Sequence, residues 1–239
     1  MKNTQRTGNS VLWNAARDLN PLIVGMLPFA IAFGIFGVTS GIPAFYVILM
    51  SATVYAGLAQ FVVVNMYTSG IDQIPLLIGF VMLVNVRFFL MGISLLPYSA
   101  LQPKWQRFLL AFGLSDEPYV VVINRFTTKG YNLHYQVYAY SLVYLFWVLG
   151  TAIGCAVSRV ITDPLALGVD FAMCAAFLVM LFPRLRSPQN RLAAIVSSGS
   201  AVILHQAGLG EGAIVAASIL GFCTVVAVKN LFSTYVREA

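Results

Sequence analysis

The sequence predicts an all-α, polytopic transmembrane helical bundle of about seven or eight segments, and three observations carry that prediction. Of the 239 residues, 59% are apolar and only 9% are charged, whereas a soluble domain carries about 25% charged residues. Ionised side chains are missing over long stretches, the longest lying between Asp18 and Asp72. The apolar runs are continuous, which excludes the alternating strands of about ten residues found in outer-membrane barrels. So few charges cannot cover a surface in water, and a disordered chain needs the opposite composition. At about 20 residues per span there is no room for a separate soluble domain. Residues 1–239 therefore read as a single transmembrane domain whose first 21 residues form a polar N-terminus.

Lys2, Arg6 and Arg17 precede the first apolar run, Leu22 to Val38. That run is too long for a signal-peptide core and lacks a small-x-small cleavage site, so it is expected to stay in the membrane. Gly41-Ile42-Pro43 divides the uncharged stretch into segments near 22–39 and 43–67. A third segment runs from Pro75 to about Leu96 with Arg87 near its middle, and a polar link follows at residues 99–107. The next block, Phe108 to Ile123, is interrupted by Gly113-Leu114-Ser115-Asp116-Glu117-Pro118, so a broken or re-entrant segment is expected at about 108–123. After a loop carrying Arg125 and Lys129, further segments fall near 136–158, 165–183, 192–206 and 212–232.

The formal charge of +6 orients these spans rather than marking a nucleic-acid binder, because basic residues gather in cytoplasmic loops. If 108–123 crosses, both termini are cytoplasmic and only Lys104, Arg107 and Arg159 fall outside. If it is re-entrant, one basic end of a seven-span chain faces outward. The positive-inside rule thus favours eight segments. Cys155, Cys174 and Cys223 lie far apart inside apolar runs, which argues against a disulfide framework and leaves no metal-ligand spacing. Gly150-x-x-x-Gly154 is a motif that lets helices approach closely. No internal repeat is evident in the sequence.

The candidate functional residues are polar groups placed where lipid would penalise them. Arg87, near mid-membrane, costs roughly 2.5–3.5 kcal/mol on insertion scales, so it should face a cavity or bundle interior and meet a substrate carboxylate or an internal acid. Its structural alternatives are a plain ion pair or an arginine snorkelling towards the interface. Asp116 and Glu117 follow a glycine-led break, with Ser115 as a candidate N-cap and Pro118 in a first helical turn. Such interrupted helices bind substrates and ions in secondary transporters, although acids also stabilise any helix start. Tyr55 and Gln60 share one uncharged span, and Gln60 must point inward to satisfy its amide; it either contacts substrate or joins two helices. Asn85 is read in the same way. His205 and Glu211 form a weaker candidate proton relay. No nucleophile elbow, phosphate loop, zinc-protease motif or Cys-x-x-Cys pair occurs, so no enzyme chemistry and no cofactor are expected.

Four ordered motifs then resemble one family. Pro28-Phe29-x-x-x-Phe33-Gly34, Tyr55-Ala56-Gly57-x-x-Gln60-Phe61, Asn85-x-Arg87 with Met91-Gly92, and Phe112-Gly113-Leu114-Ser115-Asp116-Glu117 are similar to those of AzlC proteins, large subunits of branched-chain amino acid exporters. The resemblance is concentrated in about residues 20–125. It implies secondary efflux of valine, leucine, isoleucine or similar amino acids across a bacterial inner membrane, together with a small AzlD-type membrane subunit carried on a separate chain. Under that reading Tyr55, Gln60, Asn85, Arg87, Asp116 and Glu117 bind substrate, and Asp116 or Glu117 couples transport to protons or ions. Family members often have Asp-x-Arg-His where this chain has Asn85-Val86-Arg87-Phe88, a departure that removes an acid and a histidine from the motif. The rival classes are a non-transporting scaffold subunit and an intramembrane enzyme.

Overall fold

The computed structural model describes residues 8–71, 73–100, 102–159, 178, 181–209 and 212–238. The described residues are helical and contain no strand, as the composition requires. Two compact units, Met1–Met173 and Cys174–Ala239, divide the chain. In the first unit the helices are α1 (Gly8–Thr39), α2 (Ala44–Thr53), α3 (Gly57–Thr68), α4 (Ile74–Ser99), α5 (Lys104–Phe112), α6 (Asp116–Lys129) and α7 (Leu133–Val157). The predicted segment 165–183 lies mostly outside the described residues.

Three described helices are long and apolar enough to cross a membrane: α1, α4 and α7. α1 and α7 pack side by side in the same direction. The Tyr135 hydroxyl donates to Asp18 Oδ2 at 2.7 Å near their starts, and Gly150 meets Ala30 while Gly154 meets Ile31 and Gly34 further along. The Gly150-x-x-x-Gly154 motif is therefore a backbone contact with α1. A Cβ on Gly154 would collide with the Ile31 carbonyl, and one on Gly34 with the Thr151 carbonyl. In lipid, helices gain little from apolar burial against one another, so close small-residue packing supplies the attraction.

The segment predicted at 43–67 is broken into α2 and α3, and the order of its contacts shows that it turns back. Val47 touches Gly37 near the end of α1. Ser51 then bonds Thr151 at 2.9 Å, and the Ala52 carbonyl accepts from Tyr144 at 2.9 Å. α2 thus runs against α7 towards its middle. α3 returns: Gly57 abuts Trp147, Phe61 stacks on Phe29 and Phe36, and Val64 rejoins Val47, Phe33 and Cys155 in one buried cluster. With 10 and 12 residues, at about 1.5 Å per residue, each arm spans roughly half of a 30 Å hydrocarbon core.

The interrupted block behaves in the same way from the opposite end. α5 starts just after α4 ends. Along α6, Asp116 meets Arg87, Tyr119 meets Ser94 and Phe126 meets Tyr98, so α6 runs in the direction of α4 and α5 must have travelled back along it. The 108–123 region thus doubles back as a helical hairpin, and it is one of two such hairpins where the sequence indicated one. Residues 8–68 and 74–129 each form a long apolar helix followed by a helical hairpin that doubles back, in opposite orientations. Inverted repeats of this kind build many secondary transporters.

In the second unit, a 3-10 turn at Phe182–Arg186 leads to α8 (Pro188–Leu204) and α9 (Gly212–Glu238). Ala213, Ala217 and Gly221 recur every four residues along α9 and are buried. A Cβ on Gly221 would collide with Ser197 on α8, so small residues again set the approach. His205 is exposed at the turn after α8; Glu211, its proposed partner, lies outside the described residues.

Candidate functional site

The two hairpin tips meet inside the first unit. Tyr55, between α2 and α3, and Ser115, between α5 and α6, share a hydrogen bond of 3.1 Å although 60 residues separate them. Tyr55 has a φ of +47°, left-handed backbone that costs a bulky residue about 1–3 kcal/mol and collects at functional sites. Its ring packs edge-on against Tyr144 at 5.1 Å and lies 6.3 Å from Phe112. Gly57 and Gly113 let the tips close, since a Cβ on either would press into Trp147 or Tyr140.

Beside the tips lies the ion pair. Arg87 Nη1 stands 2.7 Å from Asp116 Oδ2, with the two side chains 23% and 13% exposed. Of the two expectations for Arg87, the structure thus supplies the internal acid. Ser115 occupies the N-cap position of α6 without a side-chain cap bond. Its hydroxyl instead faces Tyr55 and, at 3.5 Å, Glu117 Oε2. Tyr55, Ser115 and Glu117 therefore form a chain of polar groups alongside Arg87–Asp116.

Both returning arms begin here without side-chain caps. In α3 the first intrahelical bond is from Gln60 N to the Ala56 carbonyl, and in α6 from Tyr119 N to the Ser115 carbonyl. The amides before them have no intrahelical partner, and the dipoles of α3 and α6 place partial positive charge at these two helix starts. Asp116 and Glu117 in the first turn of α6 bring negative charge to that end, and Asp116 takes up the Arg87 guanidinium.

Gln60 stands apart from this cluster. It is 1% exposed, its Nε2 donates to Ser51 at 3.0 Å and its Oε1 accepts from Trp147 Nε1 at 3.2 Å. With Ser51–Thr151 this network ties α2, α3 and α7 together. Gln60→Leu should leave the Trp147 donor without its acceptor and cost about 1–3 kcal/mol, read as a fall of several degrees in thermal unfolding of the purified protein. Lost transport at unchanged thermal stability would instead make Gln60 a substrate contact. Asn85 is half-buried, and among the described residues its Oδ1 has no hydrogen-bond partner.

The structure therefore brings together Tyr55, Arg87, Asp116 and Glu117, and adds Ser115, which the sequence suggests only as a cap. Ser51, Trp147 and Thr151 escape a reading of the sequence: lone hydroxyls and an indole in apolar runs carry no periodic signal.

The chain matches the family model described as AzlC protein over residues 21–161. It is 29% identical to the branched-chain amino acid transport protein AzlC of Bacillus subtilis (strain 168), over 94% of this chain and 90% of that protein. It is 30% identical to an uncharacterized membrane protein of Archaeoglobus fulgidus, over 84% and 88% of the two chains. It is 28% identical to inner membrane protein YgaZ of Escherichia coli (strain K12), over 62% and 61%. No solved structure matches significantly. The matched region takes in both hairpins and the whole cluster at their tips, and the chain belongs to the AzlC family.

Proposed function

We propose that this protein is the large subunit of a branched-chain amino acid exporter of the bacterial inner membrane, working by alternating access with a small AzlD-type partner. The observation that carries the proposal is the meeting of two oppositely inserted re-entrant hairpins at Tyr55–Ser115, beside Arg87–Asp116. Irregular backbone at membrane depth is tolerated where protein or a water-filled cavity covers it, and in transporters such backbone binds the cargo. The name of the Bacillus subtilis relative supports the substrate class.

Substrate carboxylate enters between the starts of α3 and α6 and competes with Asp116 for Arg87. Asp116, released from the guanidinium, and Glu117 receive the substrate ammonium or the coupling proton. Tyr55, Ser115 and Asn85 supply neutral hydrogen bonds, and Gln60 holds the α2–α3 tip in place. The hairpins enter from opposite ends, so rocking one repeat against the other exposes the junction to each side in turn.

Charge also supports an orientation. Arg17, Lys104, Arg107, Arg125 and Lys129 fall at the end of the first unit where α1 begins, and Arg159 at the other. The end with the N-terminus is then cytoplasmic.

The test is reconstitution with the adjacent small membrane protein in liposomes, followed by labelled-leucine flux under an imposed pH gradient. Flux of leucine, isoleucine and valine well above protein-free liposomes is expected. No flux of any of the three with both subunits present would refute the proposal.

A further inference from the structure

A pocket of about 350 Å³ lies between α1 and α6, away from the hairpin tips, and its size suits a small ligand or a lipid headgroup. Asp18 lines it from α1, Arg125 and Lys129 line it from α6, and Val120 and Val121 form its apolar end. Tyr135 of α7 engages both signs of charge. Its hydroxyl donates to Asp18 Oδ2 at 2.7 Å, and Arg125 stacks on its ring with Cζ 4.4 Å from the centroid. Asp18 and Arg125 therefore share a wall of the pocket without neutralising each other; among the described residues neither has an ion-pair partner. Asp18 and Lys129 are exposed and Arg125 is half-buried, so all three can meet a ligand. An acid and two bases around one space suit a zwitterion with a compact anionic group.

The depth of the pocket is that of the headgroup layer. Asp18 stands just before the apolar run that begins at Leu22, and Lys129 closes α6. Val120 lies about 13 Å back along α6, at 1.5 Å per residue, and is 57% exposed. One face of α6 thus passes from apolar to basic along its length, as a phospholipid passes from acyl chain to phosphate. We infer that this pocket holds the headgroup of phosphatidylethanolamine, with its phosphate on Arg125 and Lys129, its ammonium on Asp18 and its acyl chains leaving past Val120. Basic pockets between helices at the membrane boundary take up lipid phosphates, and Asp18 selects the amine. Phosphatidylglycerol has no cation to offer it, and the trimethylated ammonium of phosphatidylcholine has no N–H for a charge-assisted hydrogen bond. Asp18 belongs to the first inverted repeat and Arg125 and Lys129 to the second, so the bound lipid joins the two repeats at this end. The inference does not depend on which solute is carried.

Native mass spectrometry tests it. The full chain is purified in mild detergent and offered equal amounts of phosphatidylethanolamine, phosphatidylglycerol and phosphatidylcholine, and the lipid retained after ejection from the micelle is identified. Phosphatidylethanolamine should be retained at least fivefold over either competitor. Asp18→Asn keeps an acceptor for the Tyr135 hydroxyl but removes the charge, so the preference should vanish or pass to phosphatidylglycerol. Lys129→Glu, at an exposed position in the last turn of α6, should cut retention of phosphatidylethanolamine at least fivefold with the elution profile unchanged. Glycerophosphoethanolamine carries the same charges without acyl chains, and leucine carries a carboxylate in place of the phosphate; millimolar amounts of either should leave the lipid bound. Equal retention of the three lipids, an unchanged preference in Asp18→Asn or undiminished retention in Lys129→Glu would each overturn the inference. Displacement by either soluble compound would also overturn it, by making the pocket a solute site.

Discussion

Arg87→Gln should reduce leucine flux at least tenfold in proteoliposomes, and pairing it with Asp116→Asn should restore stability without restoring flux. The pair sits 2.7 Å apart with both side chains largely covered. Removing one partner from a buried pair costs about 3–5 kcal/mol, because the remaining charge is left without compensation. Partial exposure here lowers that to about 1–3 kcal/mol. Neutralising both residues removes the stranded charge, so the double variant should unfold within a few degrees of the wild type. Transport distinguishes the roles: if Arg87 exchanges Asp116 for a substrate carboxylate, the stable double variant stays inactive. Wild-type flux in the double variant would make the pair a structural brace and move the substrate site elsewhere. Glu117→Gln gives the complementary result, flux that no longer responds to a pH gradient, if this carboxyl carries the coupled proton.

Gly154→Ala, a change of one methyl group, should remove most of the folded protein from the membrane, whereas Gly79→Ala should leave it intact. The added Cβ at position 154 would strike the Ile31 carbonyl and the Gly34 Cα. Neither is the end of a flexible side chain, so α1 and α7 have to separate. Overpacking ordinarily costs about 1–3 kcal/mol, and this contact belongs at the top of that range because Ala30, Phe33 and Cys155 lose their packing with it. At Gly79 a Cβ meets nothing within 4 Å, and alanine there even favours the helix by about 0.5–1 kcal/mol. The amount of monodisperse protein recovered from membranes by fluorescence-detected size exclusion reads both. Equal recovery of the two variants would mean that α1 and α7 do not pack as described.

Much of the candidate site is legible in the sequence because lipid makes polar residues conspicuous. Arg87 is the one charged residue in its segment, and Asp116-Glu117 interrupts another. Their cost in hydrocarbon demands partners or a cavity whatever the arrangement of the helices. Gly113-Leu114-Ser115 announces one break in the same way. The break at Val54–Ala56 leaves a weaker mark: no charge accompanies it, and Tyr55 is an unexpected residue for left-handed backbone. Charge placement favours a crossing at 108–123 only while a single interruption is counted. With both hairpins turned back, Lys104 and Arg107 fall at the same end as Arg17 and cease to be exceptions.

Composition by itself determined that the chain is a helical membrane protein, since a backbone in lipid must satisfy its own hydrogen bonds and so few charges cannot face water. Local sequence determined which residues are too polar to lie against lipid. Only the tertiary structure decided that residues 8–68 and 74–129 are inverted copies of one plan, that Tyr55 meets Ser115, and that Gln60 braces helices while Arg87 holds Asp116. Those pairings depend on the direction in which each short arm runs, and an apolar arm of about ten residues has the same composition whether it crosses the membrane or turns back.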